Sequence, residues 1–462
     1  MIVLESKYLN IPHILKKLVI KSSTIRRLSL LVLLSVLNCD KKENNSKDKR
    51  TTSMIPKNEV VYVDSVPYIY RGGKPYYVKG AASNHLYDQV GKYGGNSIRT
   101  YHVNDKTQSI LDMAYQQGLS VVLGIGLKKE RDHNFDYDDE ALVREQFETV
   151  KEQILKFKDH PAILMWGIGN ELDIEYTKPS VWNAVEDISK FIKSVDTLHL
   201  TSTILAGADV DDFKEIIKRA PSLDVVGVNV YADIVTAHKN VKASGWKKPY
   251  LITEWGPKGT WDNPKSTDWG RLVEPTSTEK ANNYYKKYYQ NYIYNHRNKG
   301  CVGSYVFVWG YQHHGAVQTW YGLFTKNGNP LNGVYTMQEC WTGESPDNTS
   351  PEVYSSGMIL NGKTADQSIK VKKGVINIAS VDALDLDGDS LYYEWQIVKE
   401  GFVLSRSDKS KAMLPGISGL IESNNERLIN FKMNEEGEYR LIVYVLDHLG
   451  NASVASIPFL VQ

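Results

Sequence analysis

From Tyr77 onward, short apolar runs alternate with longer stretches in which apolar residues recur at helical spacing. The apolar runs are 77–82, 97–101, 120–124, 163–168, 201–205, 225–230, 250–253 and 303–308. Runs this continuous have no wet face, so they read as strands buried on both sides of a parallel sheet. The helical patterns between them are 84–93, 107–117, 139–157, 179–196, 211–220, 235–244 and 278–298, with one more around 332–341. Eight strands, each followed by a helix, close most simply as an α/β (β/α)8 TIM barrel. An open doubly wound sheet is the rival, but no glycine-rich phosphate loop follows the first run. Ahead of the barrel, residues 60–77 read as short strands around a turn at Gly72-Gly73-Lys74-Pro75, a hairpin. No internal repeat is present.

The character changes at both ends. Residues 345–351 have a linker's composition, and 352–462 alternate apolar and polar positions between turn-rich segments, as in a small all-β sandwich. The barrel with its hairpin therefore occupies 57–344. At the other end, Lys16, Lys17, Lys21, Arg26 and Arg27 precede an apolar run, 28–37, too short to span a bilayer. Cys39 and a polar stretch to residue 56 follow. The arrangement resembles a bacterial lipoprotein signal, which implies a signal peptide over 1–39, lipidation at Cys39 and a flexible tether over 40–56. The expected location is the cell envelope, the chain exported and held at a membrane by its lipid alone.

Composition narrows the partners. A formal net charge of +1 gives no reason to expect nucleic acid. Tyr (29) and Trp (10) together far outnumber Phe (10), and flat rings with a polar edge suit stacking against sugars. With Cys39 set aside, Cys301 and Cys340 either pair in an oxidising compartment or remain as buried thiols.

In a parallel barrel the chemistry sits at the C-terminal ends of the strands. The fourth apolar run ends in Asn170-Glu171, and the seventh in Glu254-Trp255. The two glutamates are 83 positions apart, about 28 residues for each of three βα units. Two carboxylates facing one another across a barrel mouth are the minimum apparatus for glycoside hydrolysis: one donates a proton to the leaving oxygen and the other attacks the anomeric carbon.

The stretch His160-Pro-Ala-Ile-Leu-Met-Trp-Gly-Ile-Gly-Asn-Glu-Leu resembles the strand-four motif of glycoside hydrolase clan A. Pro249-Tyr-Leu-Ile-Thr-Glu-Trp-Gly resembles its strand-seven nucleophile motif, and Asn96-Ser-Ile-Arg-Thr-Tyr101 the second strand of families 2, 17 and 72. Val225–Tyr231 and Val306–Trp309 resemble strands six and eight. The resemblance implies that Glu171 is the acid/base and Glu254 the nucleophile, supported by Arg99 and Tyr231. Asn170 would bind the sugar 2-hydroxyl, and Trp309 would be the stacking floor. It also implies a retaining mechanism, with carboxyl groups about 5–5.5 Å apart.

Asn84, His85 and His102, directly after the first two strands, are further candidates for lining a sugar site, with Asn84 and His102 counted among the substrate-binding residues. His313-His314 lacks a third metal ligand, and no metal or other cofactor is expected. The loop from Trp255 to Pro275, with Trp261 and Trp269, reads either as a cleft wall or as a loop pinned by its own tryptophans. The Asp385-Leu-Asp-Gly-Asp389 segment resembles the acidic turn of PKD or cadherin-like modules and reads as a plain turn rather than a calcium loop.

The expected function is a monomeric retaining β-glycosidase of an extracellular polysaccharide or oligosaccharide, with β-1,3-glucan ranked first through families 17 and 72. A β-glucan transglycosylase and a β-galactosidase- or β-mannanase-type hydrolase are the alternatives within the clan. A surface glycan-binding lipoprotein is the alternative outside enzymes.

Overall fold

Side-chain alternation along the apolar runs decides how they assemble. In the strand Ser120–Ile125, Val121 and Leu123 pack outward beneath helices, while Val122 points into the barrel with Val78, Leu164, Leu251 and Tyr305. Both faces are apolar, so the sheet closes on itself. The computed structural model describes residues 55–83, 85–133, 135–312, 317, 319–400 and 415–462.

Eight parallel strands form a closed barrel in chain order: Val78–Ala82, Ser97–Arg99, Ser120–Ile125, Ile163–Ile168, Leu200–Leu205, Val225–Asn229, Tyr250–Trp255 and Cys301–Phe307. The hairpin Asn58–Val63/Val66–Arg71 lies against the N-terminal end of this barrel. Its Ile69 joins the barrel interior, and Asn58 and Arg71 donate to the carbonyls of Pro161, Ile163 and Leu198 at 2.7–3.2 Å. That end is thereby closed, and the open mouth lies at the C-terminal ends of the strands.

Six expected helices follow their patterns closely, and two do not. Residues 84–93 contain 3-10 turns at Tyr87–Gln89 and Gly91–Tyr93, because Gly91, Gly94 and Gly95 weaken a helix. Gly94 has φ +82°, which ends the second turn. The stretch 278–298 begins as an α-helix, Ser277–Lys280, then widens into π turns at Ala281–Lys286 and Tyr289–Ile293. Tyr284, Tyr288 and Tyr292 form an edge-to-face column along it, with ring centres 5.6 and 5.9 Å apart.

The C-terminal sandwich packs a three-stranded sheet (Met358–Leu360, Ile376–Val381, Leu428–Lys432) on a four-stranded one (Ile369–Val371, Ala452–Val461, Gly437–Leu446, Tyr392–Lys399). Trp395, Phe431, Leu441 and Phe459 lie in its core. Residues 345–351 run along the barrel: Asn332 donates to the Pro351 carbonyl at 2.8 Å, and Val353 N–H to Thr278 Oγ1 at 2.9 Å. Barrel and sandwich belong to one compact unit, Ser53–Gln462. In the acidic turn, Asp385 Oδ1 accepts from the N–H groups of Asp387 and Asp389, both at 3.0 Å. Cys301 and Cys340 are free thiols. Among the described residues, no helix is long and apolar enough to cross a membrane.

Candidate active site

At the mouth, Glu254 is the penultimate residue of strand seven and stands in register with Asn229, the last residue of strand six. Its carboxylate is buried and both oxygens are held. Arg99 Nη1 donates to Oε1 at 3.1 Å, and the Tyr231 hydroxyl donates to Oε2 at 3.0 Å. Burial pushes the Glu254 carboxyl up, and the charge of Glu171 pushes the same way; Arg99 and the tyrosine hydroxyls pull it down, leaving it above the ordinary value. Burial, then the charge of Glu254, hold the Tyr231 hydroxyl well above the usual tyrosine range, so it remains a donor.

Arg99 is almost fully buried and can only donate, which fixes the orientation of the amides around it. Asn170 turns its oxygen to Arg99 Nη2 at 2.5 Å, and Asn229 its oxygen to Arg99 Nη1 at 3.3 Å. Asn229 Oδ1 also accepts from Thr253 Oγ1 at 2.8 Å. Its amino group then faces Asn170 Oδ1 at 3.2 Å and Glu171 Oε1 at 3.0 Å. The amino group of Asn170 is left pointing away from this network. The Arg99 guanidinium also lies over the Tyr101 ring, 4.6 Å from its centre.

Glu171 reaches the network through an unusual backbone. Gly169 has φ +72° and Glu171 has φ +54°, both in the left-handed region. The Glu171 N–H donates to the Ile204 carbonyl at 2.8 Å, which anchors the turn to strand five. Its Oε2 stands 3.6 Å from Lys129 Nζ. A polar cluster thus joins strands two, four, six and seven around two carboxylates.

Residues 87–344, more than half of the chain, match the TIM-barrel domain of glycosyl hydrolases family 2. The chain belongs to this family. A curated β-glucuronidase of Mus musculus is 24% identical over 220 residues, covering 40% of this chain and 31% of the mouse protein. The family 2 chain thus spans less than a third of that relative's length. Among solved structures it is similar to the GH2 β-galacturonidase of Eisenbergiella tayi bound to galacturonate, at 20% identity and a TM-score of 0.47, covering 63% of this chain and 55% of that one. It is also similar to the β-glucuronidase of Ruminococcus gnavus, at 14% identity and a TM-score of 0.46, covering 63% and 53%.

In the family 2 barrel described here, Glu171, Glu254, Arg99, Asn170 and Tyr231 come together. Trp309 does not join them, and its expected role as a stacking floor is corrected. It is fully buried, with Tyr93, Phe324 and Trp341 around its ring at 5.2–5.8 Å. On strand eight the residues that face inward are Tyr305 and Phe307, and the Phe307 ring lies 6.2 Å from that of Tyr231. His102 is exposed at the rim, its ring against Gly126; partial burial and nearby Lys129 lower its pKa. His85 Nε2 accepts from the Tyr311 N–H at 3.0 Å. Asn84, Cys39, His313 and His314 lie outside the described residues. Two members of the cluster were not singled out from sequence. Asn229 carried a usable signal, a polar residue closing a buried run like Glu171; Lys129 sits in a loop with nothing to mark it.

Proposed function

We propose that this chain is a retaining β-glycosidase that works by double displacement, with Glu254 as nucleophile and Glu171 as acid/base. The observation that carries the reading is the unequal treatment of the two carboxylates. Arg99 and Tyr231 occupy both oxygens of Glu254 and favour its ionised form. Glu171 Oε1 accepts from Asn229 at 3.0 Å, whereas Oε2 has Lys129 Nζ 3.6 Å away, beyond hydrogen-bond distance, so Oε2 is the oxygen assigned to proton transfer. In the first step Glu254 forms a bond to the anomeric carbon while the Glu171 proton passes to the departing oxygen. In the second, Glu171 takes a proton from water, and the water oxygen displaces Glu254. The free amino group of Asn170 is the donor or bridge for the sugar 2-hydroxyl.

The curated relative directs the substrate toward β-linked glucuronides, and β-galacturonides and β-galactosides are the alternatives within the family. The expected β-1,3-glucan finds no support in a family 2 match. The Asn96–Tyr101 stretch that suggested it places Arg99 against Glu254 and Tyr101 beneath Arg99, a role independent of linkage. Release of 4-nitrophenol from the β-glucuronide, β-galacturonide, β-galactoside and β-glucoside, with laminarin beside them, tests the assignment. Glu254→Gln is expected to lower kcat by at least about 1,000-fold on whichever is cleaved. Unchanged hydrolysis by this variant would sink the mechanism.

We further propose that the chain acts as a monomer and is held at the cell envelope by lipid on Cys39, supported by the apolar run before that cysteine. Cys39→Ala is expected to move the protein from the membrane to the soluble fraction.

A further inference from the structure

Of the ten tryptophans, eight are buried and Trp269 is half-buried, whereas Trp261 is 62% exposed. It stands in the loop after the seventh strand. Its ring meets that of Tyr231 edge-on, with centres 5.6 Å apart, and lies tilted at 35° to Tyr321 at 6.4 Å. Tyr231 is the residue that holds Glu254, so the open face of Trp261 is one side chain away from the nucleophile.

This ring is exposed yet tightly set. A Cβ on Gly259 would fall 2.2 Å from it, so only glycine admits the ring there. The turn is closed by Gly259 N–H to Asp262 Oδ2 at 2.7 Å, and Trp320 Nε1 donates to the Lys258 carbonyl at 2.9 Å. The other half of the loop is fastened to the sandwich. Asp268 N–H donates to Ser368 Oγ at 3.0 Å, Arg271 pairs with Glu438, and fully buried Arg440 donates to the Leu272 carbonyl at 2.7 Å. Glu400 and Ser456 fix Arg440 in turn.

A loop anchored by its own tryptophan would bury the ring. Here the anchoring comes from elsewhere and the indole face is left open, which is how a binding surface is pre-organised. We propose that Trp261 is a stacking platform for a pyranose ring of the substrate, and that the C-terminal sandwich acts as the brace of the loop that carries it. The sugar's C–H face packs on the indole, the ordinary way an aromatic side chain takes a carbohydrate. The inference rests on the glycosidase reading, but it can fail separately.

The test uses the full-length protein and the 4-nitrophenyl glycoside that the panel selects. Trp261→Ala is expected to raise KM about tenfold with kcat within about threefold, and Trp261→Phe to retain most of the affinity. The acid limb of the pH profile should stay in place, since Tyr231 still holds Glu254; a shifted limb would mean that the substitution acts through Tyr231. The double variant Arg271→Ala/Ser368→Ala should raise KM in the same direction, with no added effect in the Trp261→Ala background. Independently of turnover, millimolar D-galactose or D-glucuronate should protect the exposed indole from acrylamide quenching, a protection absent in Trp261→Phe. Unaltered KM together with unprotected fluorescence overturns the platform, and an unaltered KM in the double variant overturns the brace. Full activity in Glu254→Gln overturns the catalytic reading instead.

Discussion

Tyr231 and Arg99 grip opposite oxygens of Glu254, and the carboxyl still sits above its ordinary pKa because it is buried. As the proposed nucleophile Glu254 must be ionised, so kcat/KM should fall as pH drops through its pKa, on an acid limb above the usual carboxylate range. Removing the Tyr231 hydroxyl deletes a bond to the charged form and raises that pKa further. Tyr231→Phe is therefore expected to move the acid limb to higher pH, losing more activity at pH 5 than at pH 7.5. A pH–rate series measures it, and a limb at the wild-type position would count against the assignment. At this scale the sequence was legible where chemistry is rare. A glutamate closing an apolar strand has few structural reasons to be there, so Glu171 and Glu254 stood out. Trp309 did not follow from the same logic, because an aromatic residue at a strand end fits the core as readily as the cavity.

The turn after strand four shows what an element adds. Its left-handed Gly169 and Glu171 bend the chain so that the Glu171 carboxyl meets Asn229. A side chain at Gly169 would be strained by φ, and its Cβ would lie 2.5 Å from Leu172 Cδ1 in the core. Gly169→Ala is expected to cost about 2 kcal/mol or more in denaturant unfolding and to depress kcat as Glu171 shifts. Wild-type stability in this variant would show that the turn relaxes freely. Strand positions were readable to within a residue or two, because buried parallel strands leave an unbroken apolar run. The π turns of 281–293 were not. Their tyrosines sit at spacings that an ordinary helix also satisfies, and only packing chooses the wider turn.

For the whole molecule, the interface between barrel and sandwich is built like a core. Leu331 inserts among Val398, Ile442, Tyr444 and Val454, and Lys280 and Glu274 form a buried ion pair beside it at 2.6 Å. Ser277 Oγ accepts from the Val454 N–H at 2.8 Å. The two parts are therefore expected to unfold in one calorimetric transition. Leu331→Ala should lower stability by about 2–4 kcal/mol without splitting that transition. Two resolved transitions in the unaltered protein would contradict this. The linker composition of residues 345–351 says nothing of how firmly the two parts are joined. The contacts that fasten them join residues as far as 177 positions apart, a pairing that no local pattern announces.

The fastening of the loop to the sandwich also bears on descent. Ser368 answers to a backbone amide 100 residues before it, and Arg440 to a carbonyl 168 residues before it. A lineage that lengthens or reshapes residues 256–275 must alter the facing surface of the sandwich as well, or lose the fit. Exchange of the C-terminal part with that of another gene would carry the same penalty. The two segments are thus expected to be inherited as a matched pair, and related sequences should show correlated substitution between them even where the barrel strands vary independently.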